Sequence, residues 1–233
     1  MITLEQVTKH YRHRQGEVVG LNGIDLTINS GEFISLTGPS GSGKSTLLLM
    51  LGTMMSPTAG RVLVDDTSVY DLCVARRTQL RRSKIGFVFQ TFNLIPYLTA
   101  LQNVQLPLTL TGKPIPAQVS RASELLERVG LAERMDHKPS ELSIGQQQRV
   151  ALARTLANDP EIILADEPTG NLDPDTRTQI LEFFEEFNRE GKTVVIVTHD
   201  PAVAEMAHRT VRIVEGHIVH ADMASQNTAV SVA

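Results

Sequence analysis

Cysteine is nearly missing from this chain: Cys73 is the only one in 233 residues, so no internal disulfide can form and stability must come from a packed core. On its own, Cys73 reads as a small, half-buried filler in a reducing compartment rather than a reactive thiol. An excess of charge of one sign is missing too. A net charge of −4 and a pI near 6.0 argue against broad nucleic-acid binding, which requires a strongly basic face. Met1-Ile2-Thr3 has neither the basic nor the apolar region of a secretory leader, which points to the cytoplasm. No Cys or paired His stands at metal-ligand spacing from His217 and His220. The length and the 41% apolar content suit one large domain, or one domain carrying an inserted subdomain.

Charge is absent altogether from Ile85 to Gly112, a run long enough to suggest a membrane span. Its content excludes one: Gly86, Gln90, Asn93, Pro96, Gln102, Asn103, Gln105 and Pro107 interrupt the apolar pattern. The run reads instead as a strand (85–89), a loop exposing Phe92, Leu94, Ile95, Tyr97 and Leu98, and a short helix opened by a Thr99/Gln102 capping box. An apolar loop of this kind packs at home or docks a partner.

What the chain does contain is organised around Gly38 to Thr46, GPSGSGKST, which follows a β-rich run and precedes an apolar helical one. Glycines 38, 41 and 43 let the backbone curl so that successive N–H groups point at phosphate oxygens. The helix beginning near Ser45 adds its positive end. Gly38, Pro39, Ser40, Gly41, Ser42, Gly43, Lys44, Ser45 and Thr46 therefore read as a nucleoside triphosphate loop, with Lys44 on the β and γ phosphates and Ser45 on Mg2+.

The rest falls into strands and helices by period. A strand over 2–11, a turn over 12–17 and short strands over 18–21 and 24–28 suggest an antiparallel sheet, followed by a strand over 61–64. A helix over 71–82 carries Arg76, Arg77, Arg81 and Arg82, with Lys84 beyond it, as a solvated face. Pro114 and Pro116 open a further helix that Gly130 stops, and Ser143 caps another that Asn158-Asp159-Pro160 ends. EIILAD (161–166) and TVVIVT (193–198) read as buried parallel strands. Between them Asp173 caps a helix with Ile180, Leu181, Phe183, Phe184 and Phe187 inward. A short helix after Asp200-Pro201 and a hairpin around Gly216 complete the chain.

The fold expected is α/β: a P-loop NTPase core with a mainly parallel sheet, an N-terminal antiparallel β subdomain and an inserted α-helical subdomain. Residues 1–90 and 159–220 form the core with its antiparallel part, 91–158 the helical insertion, and 221–233 a flexible tail. At the end of the 161–166 strand, Asp166 suits a Mg2+ ligand, Glu167 could polarise a water, and His199 could donate to the γ-phosphate.

Gly38 to Ser45, Gln90, Ser143 to Arg149, Asp166-Glu167, Asn171-Leu172-Asp173 and His199 follow the order and approximate spacing of an ABC transporter ATPase subunit, which the chain resembles over nearly its whole length. FVFQTFNLIPYLTALQNVQLPL and ADEPTGNLD look closest to the macrolide-exporter, lipoprotein-release and cell-division branch. The resemblance implies ATP and Mg2+ as substrate and cofactor, with Glu167 as catalytic base and His199 on the γ-phosphate. Gln90 would sense Mg2+ and the attacking water, and Tyr11 would stack on adenine. Asp173 would lie at a dimer seam, while Ser143, Gly145 and Gln146 would complete the nucleotide site of a second copy. It further implies an ATP-dependent homodimer on the cytoplasmic side of the inner membrane, with a membrane subunit docked at residues 91–108. Work would be export or envelope-directed transport, or alternatively force transmission to a periplasmic cell-wall hydrolase.

The family pattern Leu-Ser-Gly-Gly-Gln stands here as Leu142-Ser143-Ile144-Gly145-Gln146. Ile144 is expected to restrict φ and hinder close approach. A nucleic-acid enzyme sharing the cassette is disfavoured by the acidic charge and the lack of a long heptad insertion. A P-loop kinase or switch would need no second-subunit signature.

Overall fold

The computed structural model describes residues 1–13, 16–170 and 172–223. Two sheets organise it. β1 (Ile2–His13), β2 (Gly16–Ile28), β4 (Ala59–Val64) and β5 (Thr67–Ser68) form an antiparallel sheet in the order β2-β1-β4-β5. The second sheet uses β3 (Phe33–Thr37), β6 (Ile85–Val88), β7 (Ile162–Asp166), β8 (Thr193–Val197), β9 (Arg209–Val214) and β10 (His217–Met223), in the order β10-β9-β3-β8-β7-β6. Only the β9–β10 hairpin in it is antiparallel.

The β-branched runs of β7 and β8 are buried on both faces, which is why they lack polar alternation. Ile162 and Leu164 join one apolar cluster with β1, β2, β4 and helix α1 (Lys44–Leu51). Ile163 and Ala165 face the other cluster, with α3 (Ala100–Thr109), α4 (Ile115–Arg128), α5 (Ile144–Thr155) and α6 (Pro174–Arg189). The remaining helices are α2 (Val74–Lys84) and α7 (Pro201–Met206), the latter capped by Asp200. Three of the helices, α3 to α5, lie between β6 and β7 in the chain and share one apolar cluster with α6 and the parallel strands.

Several local expectations are corrected. The hairpin arms are longer than the turn residues suggest: β1 runs past Tyr11, and the pieces over 18–21 and 24–28 are one strand. Irregular register between Leu4 and His10 absorbs the mismatch. Arg14 and Gln15, within the predicted turn, lie outside the described residues. The predicted helix over 71–82 begins at Val74, because Leu72 and Cys73 are extended after a 3-10 turn at Val69–Asp71. Cys73 is exposed, not half-buried.

The basic face of α2 is also less solvated than expected. Arg77 lies over the Tyr70 ring (5.3 Å), Arg81 donates to the Thr53 carbonyl (3.2 Å), Arg82 to the Leu110 carbonyl, and Lys84 meets Asp65 (2.5 Å) and Glu161 (3.1 Å). Of the five loop residues expected to be exposed only Tyr97 is, at 74%; Phe92, Leu94, Ile95 and Leu98 are half-buried. Buried Asn103 holds that loop, accepting from Ile95 N (2.8 Å) and donating to the carbonyls of Ile95, Leu98 and Thr99. Residues 221–223, expected to belong to the tail, pair instead within β10; 224–233 lie outside the described residues. Among the described residues, no helix is long and apolar enough to cross a membrane.

Candidate nucleotide site

Four connections converge at one edge of the parallel sheet. Leu36 of β3 pairs with Val197 of β8, which pairs with Asp166 of β7, while Ala165 pairs with Val88 of β6. The phosphate loop, His199, Asp166-Glu167 and Gln90 therefore all leave the carboxyl ends of neighbouring strands, where open α/β sheets bind ligands.

The loop is built by its own backbone. Gly43 caps α1 at φ +106, and a Cβ there would come within 2.3 Å of the Gly20 carbonyl oxygen, so no larger residue fits. No acidic residue sits in the first turn of α1, leaving its positive end for an outside anion. Lys44 is buried at 7% exposure, and its Nζ donates to the carbonyls of Gly38 (2.8 Å) and Pro39 (2.9 Å). Burial lowers its pKa, opposed by the charges of Glu167 and Asp166. A cleft of about 210 Å3 over the loop is lined by residues 41–46 together with Tyr11, Val18, Val19 and Gly20.

Ser45 Oγ donates to Asp166 Oδ1 at 3.3 Å, bringing together two residues 121 positions apart. Burial raises the Asp166 pKa, while Ser45 and Lys44 hold it down. Two hard oxygens beside a phosphate loop are the donor chemistry that Mg2+ takes, so this pair fits the ion. Glu167 Oε1 lies 3.3 Å from His199 Nε2, and its Oε2 accepts weakly from His199 N at 3.4 Å. Burial pushes the Glu167 carboxyl up, with His199 opposing. Arg177 reaches Asp200 at 3.0 Å and steadies the segment that carries His199.

Other predicted residues are placed less directly. Gln90 is exposed and stands near Gly170, its amide nitrogen 3.6 Å from where a Cβ on that glycine would be. Tyr11 borders the cleft, with its hydroxyl on Thr46 Oγ1 (2.9 Å) and Met55 Sδ (3.0 Å). Ser143 caps α5 in a reciprocal box: its Oγ accepts from Gln146 N (3.2 Å), and Gln146 Oε1 accepts from Ser143 N (2.9 Å). Gly145 lets α5 close on α6, since a Cβ there would fall 2.5 Å from Thr176 Cγ2. Asp173 caps α6 by accepting from Thr176 N (3.0 Å), which lowers its pKa. Asn171 lies outside the described residues.

Ile144 occupies the first turn of α5 with helical backbone and is 53% exposed. The predicted restriction on φ therefore has no consequence, because isoleucine adopts this conformation freely. Sequence reasoning missed two polar side chains of α5 that turn inward, buried Gln148 and half-buried Arg154. Their mark in the sequence is an amide and a guanidinium within a helix whose buried positions are otherwise small or apolar.

Residues 21–170 match the family described as ABC transporter. The chain is similar to the lipoprotein-releasing system ATP-binding protein LolD of Bacteroides fragilis, 46% identical over 220 residues covering 94% of this chain and 100% of that protein. It is similar to the macrolide export ATP-binding/permease protein MacB of Syntrophobacter fumaroxidans, 48% identical over 94% of this chain but only 31% of that protein. The fold matches the dimeric, ADP- and Pi-bound cassette MJ0796 of Methanocaldococcus jannaschii with TM-score 0.90 and 45% identity, covering 96% of this chain and 98% of the other. The family binds ATP with Mg2+ and hydrolyses it, and the residues gathered at the sheet edge are suited to that chemistry. The chain belongs to the ABC transporter family as one of its ATP-hydrolysing cassettes.

Proposed function

We propose that two copies of this chain bind two ATP molecules between them, close, hydrolyse and reopen, driving a membrane subunit in export or envelope-directed work. The observation that carries the site assignment is the pairing of Ser45 with Asp166 beside Lys44, with Glu167 and His199 joined next to it. Residues 38–46 hold the phosphates, and Tyr11 supplies a face for adenine at the cleft's rim. Mg2+ would be held at Ser45 and Asp166 with Gln90 nearby, and would neutralise charge on the phosphates. Glu167 takes the proton from the attacking water, and His199 orients Glu167 and meets the γ-phosphate.

The other half of the pocket comes from Ser143, Gly145 and Gln146 of the second copy, with Asp173 at the seam. In its cap Ser143 Oγ acts as acceptor, which leaves the hydroxyl proton to donate to a phosphate oxygen. ATP drives closure only if it binds the closed dimer better than the open one, and these cross-dimer contacts supply that difference.

Ile144→Gly tests the departure in the signature. The variant should fold, losing about 0.5 kcal/mol through helix propensity, and should change the ATPase rate because the exposed side chain faces the partner copy. Identical kinetics would make Ile144 a neutral replacement.

The membrane subunit is proposed to dock where α2, the 91–108 segment and α5 meet. A groove of about 370 Å3 there is lined by Arg81, Arg82, Phe87, Phe89, Asn93, Pro107, Leu110 and Arg154 among others. It overlaps only part of residues 91–108, and Leu110, 65% exposed, extends the surface beyond it. Leu110→Glu should weaken copurification with the membrane subunit at least tenfold while leaving the ATPase rate of the isolated chain unchanged; undiminished copurification would contradict the placement. Residues 91–158 would carry one wall of the docking groove together with the signature, so motion of that block couples them. Binding there would hold the chain at the cytoplasmic face of the inner membrane. The similarity to LolD supports envelope-directed work. Copurification with a subunit whose periplasmic domain acts on a cell-wall hydrolase would favour force transmission instead.

A further inference from the structure

Gln148, in the middle of α5, is fully buried, and its Nε2 donates to the Pro168 carbonyl at 2.7 Å. Its Oε1 is also buried and has no hydrogen-bond partner among the described protein atoms. A side chain selected for packing alone would not be an amide here, because leucine or methionine fills similar space without stranding an acceptor. The amide's return lies in what it holds. Pro168 directly follows Glu167, whose φ is +46, a conformation uncommon for a residue with a side chain and further disfavoured before proline. Such a backbone persists only when its surroundings fix it.

Three further bonds belong to that frame. Glu167 N donates to the Val197 carbonyl (3.0 Å), Gly170 N donates to the Glu167 carbonyl (3.2 Å), and His199 N reaches Oε2 at 3.4 Å. Gln148 is the member of the frame that comes from α5. At the other end of the same helix, Arg154 donates to the carbonyls of Phe92 and Asn93, both at 2.6 Å and both at positive φ, just past Gln90. One rigid helix thus grips the backbone beside both Gln90 and Glu167 while presenting Ser143 at its N-terminus.

We infer that Gln148 is a positioning residue for hydrolysis, tying the signature helix to the backbone turn that aims Glu167 of the same chain. The inference rests on Glu167 acting as the base. Losing the bond lets the 167–168 turn relax and moves the carboxylate away from its water, while leaving the phosphate loop untouched.

The test is a double-mutant cycle in the full chain with ATP and Mg2+. Gln148→Met should lower kcat roughly ten- to hundredfold, the scale of a small misplacement of a reacting group, with KM for ATP nearly unchanged. Gln148→Leu, measured alongside, should show the same split. In a Glu167→Gln background, Gln148→Met should cost nothing further, because residues that act as a unit are not additive. A wild-type kcat in both variants, or the same factor lost again in the Glu167→Gln background, would overturn the proposal. Failure of the base assignment would appear separately, as normal turnover by Glu167→Gln alone.

Discussion

Replacing Glu167 with glutamine should reduce ATP hydrolysis by roughly 10²–10⁴-fold, the usual worth of a positioned general base, while ATP still binds. The side chain keeps its shape and its contact with His199 Nε2 but can no longer accept a proton. Because burial raises the Glu167 pKa, the wild-type rate should fall on acidification at a pH above the ordinary glutamate range, as the base becomes protonated. The stability consequence has a definite sign. A carboxyl whose folded-state pKa is raised contributes favourably below its unfolded pKa, and that contribution is lost as pH rises through the folded value. The neutral glutamine should therefore melt no lower than wild type at neutral pH, and its advantage should vanish on acidification. Melting curves across pH check this, and a Glu167→Gln chain that hydrolyses ATP at the normal rate would remove Glu167 from its role.

Lys44→Ala should fail at an earlier step. Hydrogen bonds to a charged group are worth about 1.5–3 kcal/mol, so ATP affinity should fall roughly ten- to hundredfold. The lysine is already held in place: its ammonium bridges the Gly38 and Pro39 carbonyls and is mostly buried, so little ordering remains to be done when phosphates arrive. Titration with a fluorescent ATP analogue separates the two variants, since Glu167→Gln retains affinity and Lys44→Ala does not. An unchanged Kd for Lys44→Ala would show that the loop amides and α1 suffice.

The phosphate loop was legible in the sequence because all its parts are local: glycines, lysine and serine at fixed spacing between a strand and a helix. Asp166, Glu167 and His199 were legible because buried parallel strands announce themselves as apolar runs and their carboxyl ends share an edge. The actual contact of Ser45 with Asp166 depends on the strand order β3-β8-β7, which no local pattern encodes.

The long first hairpin was not legible, because polar residues such as Arg12 and Glu17 pair across it as readily as they would form a turn. Asn103, Gln148 and Arg154 were missed for a shared reason. Polar side chains read as exposed, yet Asn103 and Gln148 are fully buried and Arg154 half-buried, each donating to loop carbonyls. At Ile144 the expected restriction on φ has no consequence, since the helix leaves its backbone unstrained and the side chain exposed.

In the proposed dimer the site of one chain is half of one, completed by Ser143 and Gly145 of another copy. Its most direct test is the solution mass of the Glu167→Gln chain, by light scattering during gel filtration, with and without ATP. The expected result is a monomer near 25.6 kDa without nucleotide and a mass twice that with ATP, reverting when Ser143 is also replaced by a bulky acid. A monomer under both conditions, at ATP concentrations that saturate binding, would contradict it.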